Sequence, residues 1–480
     1  MAKESKQGLT AKKAEDFTEW FTQLMQKAKL AAYTKVSGCV VYRPKAYELW
    51  EAMVDATNIE FKKIGIKNAY FPLLIPESLL MKEAEHVEGF APEVAWVTHT
   101  GNTELSERLA IRPTSEAIMY DSYSNWIRSW RDLPLLINQW NNVIRWEFNN
   151  PTPFFRAREF LWNEAHTCFA TEKEALDHGK KVMKAYDKIT EELMAIPGIY
   201  GRKTENEKFA GAEFTEKVHS YLPNGKIMEG TCFHYDGQKF AKAYDIKFLD
   251  KNEKETYVYQ NTHAVSVRVL GAMLAIHSDD KGLVIPPRMA INKLTIIPLL
   301  FKDSKEQVLA EARKLEKELI EFNPIVDDSE NSPGRKFNEW ELNGTPIKIE
   351  LGPRDLEKGE AVIGVRNTGE KITVKLSEIK EKIPVLLEKM QQELYDAAEK
   401  MLKENQARTE NKEELIKLIN DKKMVKVPLC DCVDCEKALK DGIGGTKVLF
   451  IDPENESVEG KKCINCNKDA VYWAYTGKTY

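Results

Sequence analysis

LLINQWNNVIRWEFNNPTPFFRAREFLWNEAHTCFA, residues 135–170, decides the fold of the larger part of the chain. Its first half, 135–148, is apolar and rich in β-formers; NNPTP (149–153) is a polar turn; 154–170 resumes a strand pattern. Two strands about such a turn make a long hairpin, on which alternate side chains share a face. Period two puts Arg145 beside Glu147 and groups Arg156, Arg158, Phe160, Trp162, Glu164 and His166. Arginine is scarce here, 16 of the 70 basic residues, so three within 145–158 form a cluster.

Such a face suits phosphate chemistry. A guanidinium can hold a phosphate bidentately, a carboxylate can accept from an adenine amino group, and a phenyl ring can stack on a purine. The competing reading is a solvated, salt-bridged strand face, in which Trp146, Phe160 and Trp162 would be poorly placed. No GxxxxGK[ST], Rossmann glycine fingerprint, GxSxG or HExxH occurs, so nucleotide binding would use an antiparallel sheet rather than a helix N-terminus.

Around the hairpin, 14–31 and 46–64 read as amphipathic helices, GCVVYRP (38–44) and NAYFPLLIP (68–76) as strands, and 92–111 as two strands joined by GNTE. RPTSE (112–116) opens a helix that Thr114 or Ser115 can cap. Residues 171–194 read as a helix, KIMEGT, KFAKAYDIKFLD and ETYVYQ (within 226–260) as strands, and about 266–276 as a helix. From Lys293 strands and helices alternate as in a small α/β unit. The division expected is 1–290, 291–405 and 406–480.

With 480 residues, 42% hydrophobic and 30% charged, the chain is neither disordered nor a disulfide-stapled miniprotein. The net charge of -5 excludes a bulk basic field but not a local basic groove. No 18-residue apolar run and no apolar N-terminal segment are present, so neither a membrane span nor secretion is expected. Five of eight cysteines crowd the last 51 residues: Cys430, Cys432, Cys435, Cys463 and Cys466. Two close thiol pairs about a connector read as a structural four-sulfur zinc site in a reducing compartment. Spacing alone favours Cys432 with Cys435, but leaves Cys430 with Cys435 open.

These residues together resemble the class II aminoacyl-tRNA synthetases, specifically the prolyl-tRNA synthetases of the archaeal and eukaryotic-like type, over roughly residues 14–480. FPLLIPESLLMKEAEHVEGFAPEVAWVTH (71–99) resembles the dimer-interface motif with Pro76 at its proline; RPTSE resembles the amino-acid-reading loop; RWEF and FFRAREFLWNEAHT resemble motif 2; Arg268 and GLVIPP (282–287) resemble motif 3; 336–371 resembles the anticodon-binding domain. The resemblance implies an α+β multidomain fold: an antiparallel-sheet catalytic domain, an α/β anticodon-binding domain and a C-terminal α+β zinc domain. It implies a cytoplasmic homodimer that activates L-proline with ATP and Mg²⁺ and transfers the prolyl group to tRNA(Pro). Arg145 and Arg268 would be catalytic. ATP would contact Arg145, Glu147, Arg156, Phe160 and Arg268, and proline would contact Thr114, Glu116, Arg145, Trp162, Glu164 and His166. Glu350, Arg354, Lys336 and Arg366 would read the anticodon. Zinc would take Cys430, Cys435, Cys463 and Cys466, the longer first pair. Tyr480 would fold back toward the active site. The interval from Cys168 to Thr231 is too short for the editing insert of bacterial relatives.

Several positions depart from the family pattern. Thr152 stands where an arginine is usual, Met228 where a magnesium-assisting glutamine is usual, and His263-Ala264 replaces a tryptophan–glycine pair. In GTCFHY, Phe233 reads as an extra residue that disturbs the register of His234. The second reading these departures leave open is a catalytically altered, synthetase-like tRNA- or protein-binding module.

Overall fold

The computed structural model describes residues 8–86, 93–147, 151–301 and 303–480. Asn149 and Asn150 of the expected 149–153 turn, residues 87–92 of the dimer-interface motif and the N-terminal seven lie outside them. The central feature is an eleven-stranded sheet. From one edge its strands are 406–408, 424–429, 472–479, 447–451, 199–202, 214–221, 226–237, 259–266, 159–169, 135–144 and 67–68. The hairpin pairs antiparallel from Leu135↔Cys168 to Ile144↔Glu159. Its second strand pairs with Tyr259–Ser266, and that strand with Lys226–Gly237.

The helices Phe17–Lys27, Pro44–Lys63, Glu172–Asp187 and Arg268–His277 supply much of the core against this sheet, with Trp20, Phe21, Leu24, Met53, Phe61, Tyr186 and Leu270 buried. Pro44 begins its helix instead of merely ending a strand, because a first-turn position needs no N–H. The opposite face of the sheet carries the polar alternation of the hairpin.

Local expectations fail in two places. KFAKA (239–243) is a helix, not a strand. Gly237, at φ 61°, ends the preceding strand, and Phe240, Ala241 and Tyr244 then bury one helical side. The second hairpin strand starts at Glu159, not at 154. Phe154 (φ 67°) and Phe155 both sink into the core, which strict alternation forbids, so Arg156 and Arg158 precede the regular strand.

A second sheet, ordered 325–326, 294–298, 347–351, 360–365 and 371–375, has three parallel strands and two antiparallel ones. It packs with helices Lys305–Glu318 and Ile379–Glu404 around its own core. The C-terminal strands do not form a sheet of their own. Tyr472–Thr479 pairs with Lys226 and Ile227, and Ile451 pairs with Arg202, so they extend the central sheet.

Candidate active site

The 112–116 loop is held against the hairpin by side chains with no freedom left. Buried Arg112 donates to the Asn142 carbonyl (2.8 Å) and the Phe71 carbonyl (2.9 Å). Glu164 accepts from the Ser115 amide (2.9 Å), Asn141 Nδ2 (2.6 Å), Thr114 Oγ1 (3.3 Å) and the Ser115 hydroxyl. Ser115 occupies the N-cap position of helix Glu116–Trp126 but bonds to Glu164 instead of capping. Glu164 is therefore an anchor beneath the loop, 1% exposed, and not an open pocket wall. Burial opposes its charge, but His166, Ser115 and Asn141 hold its carboxyl well below the usual range. Thr114 and Glu116 are hydrogen-bonded to each other at the loop's inner edge.

Arg145 crosses the same face. Its guanidinium lies 5.3 Å from the Trp162 ring centroid and 5.6 Å from that of Phe160. Its Nε donates to the Pro113 carbonyl at 2.9 Å, which brings the cation alongside Thr114. Trp162 Nε1 is buried without a protein partner, an unsatisfied donor of the kind a ligand can complete. Phe155, Phe160, Ser266 and Arg268 line one narrow cleft. Arg268 Nε donates to the Phe155 carbonyl at 3.1 Å. Burial lowers its pKa, and Arg156 and Arg145 add to this while Glu229 opposes it, so the three arginines share one electrostatic neighbourhood. Glu147 is exposed. Arg158 is drawn to the 34–39 loop, with Nη1 donating to the Ser37 carbonyl (3.2 Å) and its guanidinium over Trp146 (4.4 Å). The Tyr480 ring stacks on Phe155 with centroids 4.3 Å apart.

Phe233 does not put His234 out of register with the neighbouring strand. Cys232, Phe233, His234 and Tyr235 pair in unbroken register with Ala264, His263, Thr262 and Asn261. Phe233 packs against Gly179 of helix Glu172–Asp187, while Cys232 and His234 turn to the face that carries Glu164 and His166. Met228 is in the core. Glu229, its neighbour, binds Lys203 (2.5 Å) and Lys217 (2.6 Å). Lys203, Lys217, Tyr120 and Asp236 are polar residues of this region that the sequence reading missed. For Asp236 a signal existed: period two continues from Cys232 through His234 to it.

The chain matches three family descriptions: tRNA synthetase class II core domain (G, H, P, S and T) over residues 96–277, anticodon binding domain over 293–386, and prolyl-tRNA synthetase, C-terminal, over 412–480. A proline–tRNA ligase of Natranaerobius thermophilus is 44% identical over 456 residues, 94% of each chain. The chain belongs to the proline–tRNA ligase family. Proline–tRNA ligase 2 of Bacillus cereus is 42% identical over the full length of both chains. The cytoplasmic proline–tRNA ligase of Arabidopsis thaliana is 41% identical over all of this chain and 92% of its own.

In this proline–tRNA ligase family chain the sulfur atoms of Cys430, Cys435, Cys463 and Cys466 all lie within 4.8 Å of one another. Cys430 is 3.5 Å from Cys435 and 3.6 Å from Cys466, close to the ~3.8 Å edge of a tetrahedron with 2.3 Å metal–sulfur bonds. The donor set thus fits a closed zinc site. Cys432 instead starts helix Val433–Gly442 and is outside the cluster. Although burial opposes it, backbone amides lower the Cys463 thiol to about 7.

Of the four expected anticodon residues, two are internal struts. Lys336 donates to the carbonyls of Pro298 (3.2 Å) and Asp327 (2.7 Å). Arg366 makes a bidentate pair with Asp279 (2.7 and 2.8 Å), tying the second sheet to the catalytic unit. Glu350 is buried between Lys348 and Lys371, and Arg354 is exposed. Among the described residues no helix is long and apolar enough to cross a membrane.

Proposed function

We propose that the protein activates L-proline with ATP to prolyl-adenylate and then transfers the prolyl group to the 3′ end of tRNA(Pro). The observation that carries this is Arg145, tethered to Pro113 beside Thr114 and Glu116 and spread over Phe160 and Trp162, in a chain 44% identical to a proline–tRNA ligase along nearly its whole length.

In this reading Thr114 and Glu116 accept the imino group, and the Trp162 indole and His166 bound the ring. Glu164 acts through the loop it anchors. Arg145 faces both reacting charges, the carboxylate of proline and the α-phosphate. A fixed cation where two anions must meet, in a site screened from water, stabilises the charge-crowded transition state without reorganising. Phe160 and Arg268 sandwich the adenine from opposite sides of their shared cleft, and exposed Glu147 accepts its amino group. Arg156 meets the outer phosphates. Mg²⁺ enters with the nucleotide and neutralises its phosphates. Glu229, and not Met228, is the carboxylate turned to that cation-rich face, and Lys203 and Lys217 already hold it in place.

We place catalysis in 1–290, anticodon reading in 291–405 and zinc-dependent support in 406–480. Exposed Arg354 and the ion-paired edge around Glu350 are the base-reading candidates, with Lys336 and Arg366 supporting their strands. Zn²⁺ would be held by Cys430, Cys435, Cys463 and Cys466. The protein acts as a cytoplasmic homodimer through the segment containing Pro76.

Proline-dependent exchange of pyrophosphate into ATP tests the first step. The wild type is expected to catalyse it, and Arg145→Ala to lose about 10²- to 10³-fold in kcat, as when one preorganised charge donor is removed. Absence of exchange by folded wild type with every proteinogenic amino acid would leave the binding-module reading instead.

A further inference from the structure

Next to the loop anchored by Glu164 the protein buries more ionisable groups than the two-step reaction needs. Asp236, on the strand that carries Cys232 and His234, has no solvent exposure. Its Oδ2 is 2.5 Å from Thr262 Oγ1, while its Oδ1 has no partner. Thr262 Oγ1 is 3.4 Å from the Tyr120 hydroxyl, and that hydroxyl is 3.0 Å from His166 Nδ1. His166 Nε2 then lies 3.6 Å from Glu164 Oε2. Four side chains thus connect, without a solvent-exposed member, a buried carboxyl to the imidazole beside the Thr114–Glu116 loop.

We propose that Asp236, Thr262, Tyr120 and His166 form an internal relay that shares one proton between the Asp236 carboxyl and the His166 imidazole, Asp236 being a positioning residue that sets the charge of His166. The proposal rests on the reading that Thr114 and Glu116 receive the imino group of proline.

The two end states balance. In the first, the Asp236 O–H donates to Thr262, Thr262 to Tyr120, and Tyr120 to His166 Nδ1; the imidazole is neutral and its Nε2–H points to Glu164. In the second, the Asp236 O–H bond has broken and Thr262 Oγ1 has gained that proton. Thr262 has passed its own hydrogen to Tyr120, and Tyr120 its own to Nδ1. A carboxylate and an imidazolium result, the total charge is unchanged, and no water takes part. The 3.4 Å Thr262–Tyr120 step is the longest link and the gate of the relay.

Charges around the relay act on both of its ends. Glu164 and Glu116 favour the imidazolium against the pull of burial. His234 shares the face of His166 two strands over, whereas His263 points to the opposite, helix-covered face against Tyr186 and Phe61; burial keeps both neutral. Burial raises the Asp236 carboxyl to about 8, with Thr262, His166 and Lys239 opposing and Glu116 assisting. Cys168 and Tyr123, raised by the same burial, stay neutral, and Tyr244 contributes a ring edge against Tyr120. A cationic imino group arriving at Glu116 repels an imidazolium and drives the proton to Asp236. Binding of proline and the charge of His166 are therefore linked, while ATP binding is not.

The test is proline-dependent pyrophosphate exchange from pH 5.5 to 9 on full-length wild type, Asp236→Asn, Tyr120→Phe and the double variant, with thermal unfolding to establish folding and ¹⁵N-histidine spectra to report the His166 tautomer. Each single variant is expected to change KM for proline by about tenfold at one end of the range, the factor one pKa unit represents, with KM for ATP unchanged. The double variant should be no worse than the worse single one, since both cut one relay. The His166 nitrogen shifts should move in Tyr120→Phe, which removes a single hydroxyl and serves where Asp236→Asn fails to fold. Wild-type pH profiles in Tyr120→Phe, or equal changes in KM for proline and ATP, would overturn the relay. If wild type shows no exchange with proline, the functional reading fails by itself, and unaltered His166 shifts in Tyr120→Phe would overturn the relay independently.

Discussion

Glu164 bonds with both carboxylate oxygens to donors from two separate segments, the 112–116 loop and the first hairpin strand, and lies 3.6 Å from His166 Nε2 on its own strand. Removing the acceptor strands those donors in a dry interior. Glu164→Ala is therefore expected to cost about 3–5 kcal/mol, read as a lower urea midpoint at unchanged slope, with Glu164→Gln milder. Asp236 carries the opposite sign. Burial raises its pKa to about 8, whereas the unfolded chain releases that proton near 3.9. With one proton shared between Asp236 and His166, the folded pair holds between about pH 6.5 and 8 a proton that the unfolded aspartate and histidine have both lost, and the pair's contribution to stability falls as pH rises there. Asp236→Asn has no such proton, so its melting temperature should gain on wild type from about pH 6.5 to pH 8. His219 and His234, both lowered to about 3 by burial, act in the acid range: stability should fall as pH drops below about 6.5, where the unfolded histidines take up protons.

At the scale of elements, the hairpin and the Tyr259–Ser266 strand carry the site, and helix Glu172–Asp187 backs it. A Cβ on Gly179 would stand 2.3 Å from the Phe233 ring, so this glycine sets how closely the helix approaches the sheet. Gly179→Ala should destabilise by about 1–3 kcal/mol, the usual cost of overpacking, in spite of alanine's better helix propensity. Equal urea midpoints for the variant and wild type would contradict this packing account. Phe233 therefore marks a helix–sheet contact, within a stretch of regular pairing from Cys232 to Tyr235. The alternation of Phe160, Trp162, Glu164 and His166 was legible in the sequence because period two is local. The descent of Phe154 and Phe155 into the core was not, since it depends on helix Arg268–His277, more than a hundred residues away, where Phe154 approaches Gly271. KFAKA read as a strand for the same reason: five residues show no decisive period, and burial of Phe240 and Ala241 against distant elements settles it.

For the whole molecule, the decisive feature is that the C-terminal strands join the central sheet. Tyr221 and Ile227 of the catalytic part share a core with Leu402, Met424, Leu449 and Phe450. Loss of metal from the four-cysteine cluster should therefore lower the stability of the joint sheet as well as that of the C-terminal unit. Cys430→Ser is expected to abolish stoichiometric zinc and lower the melting temperature, whereas Cys432→Ser keeps one zinc per chain, measured by elemental analysis on purified protein. Arg366 shows how the assembly reassigns a residue: a surface arginine by composition becomes a buried bidentate tie to Asp279 across the boundary between the two sheets.

The linear chain determined by itself the motifs, the strand–turn–strand pattern that brings Arg145 and Phe160 onto one face, and the pairing of cysteines near its end, because these depend on spacing along a few tens of residues. The structure clusters Cys430 rather than Cys432, a choice that spacing left open and the family resemblance implied, and only the tertiary structure decided that Glu164 is an anchor and that Asp236 reaches His166 through two hydroxyls. Each of those contacts joins side chains from strands or helices remote in sequence, and their distances and burial exist only once the sheet has closed over them.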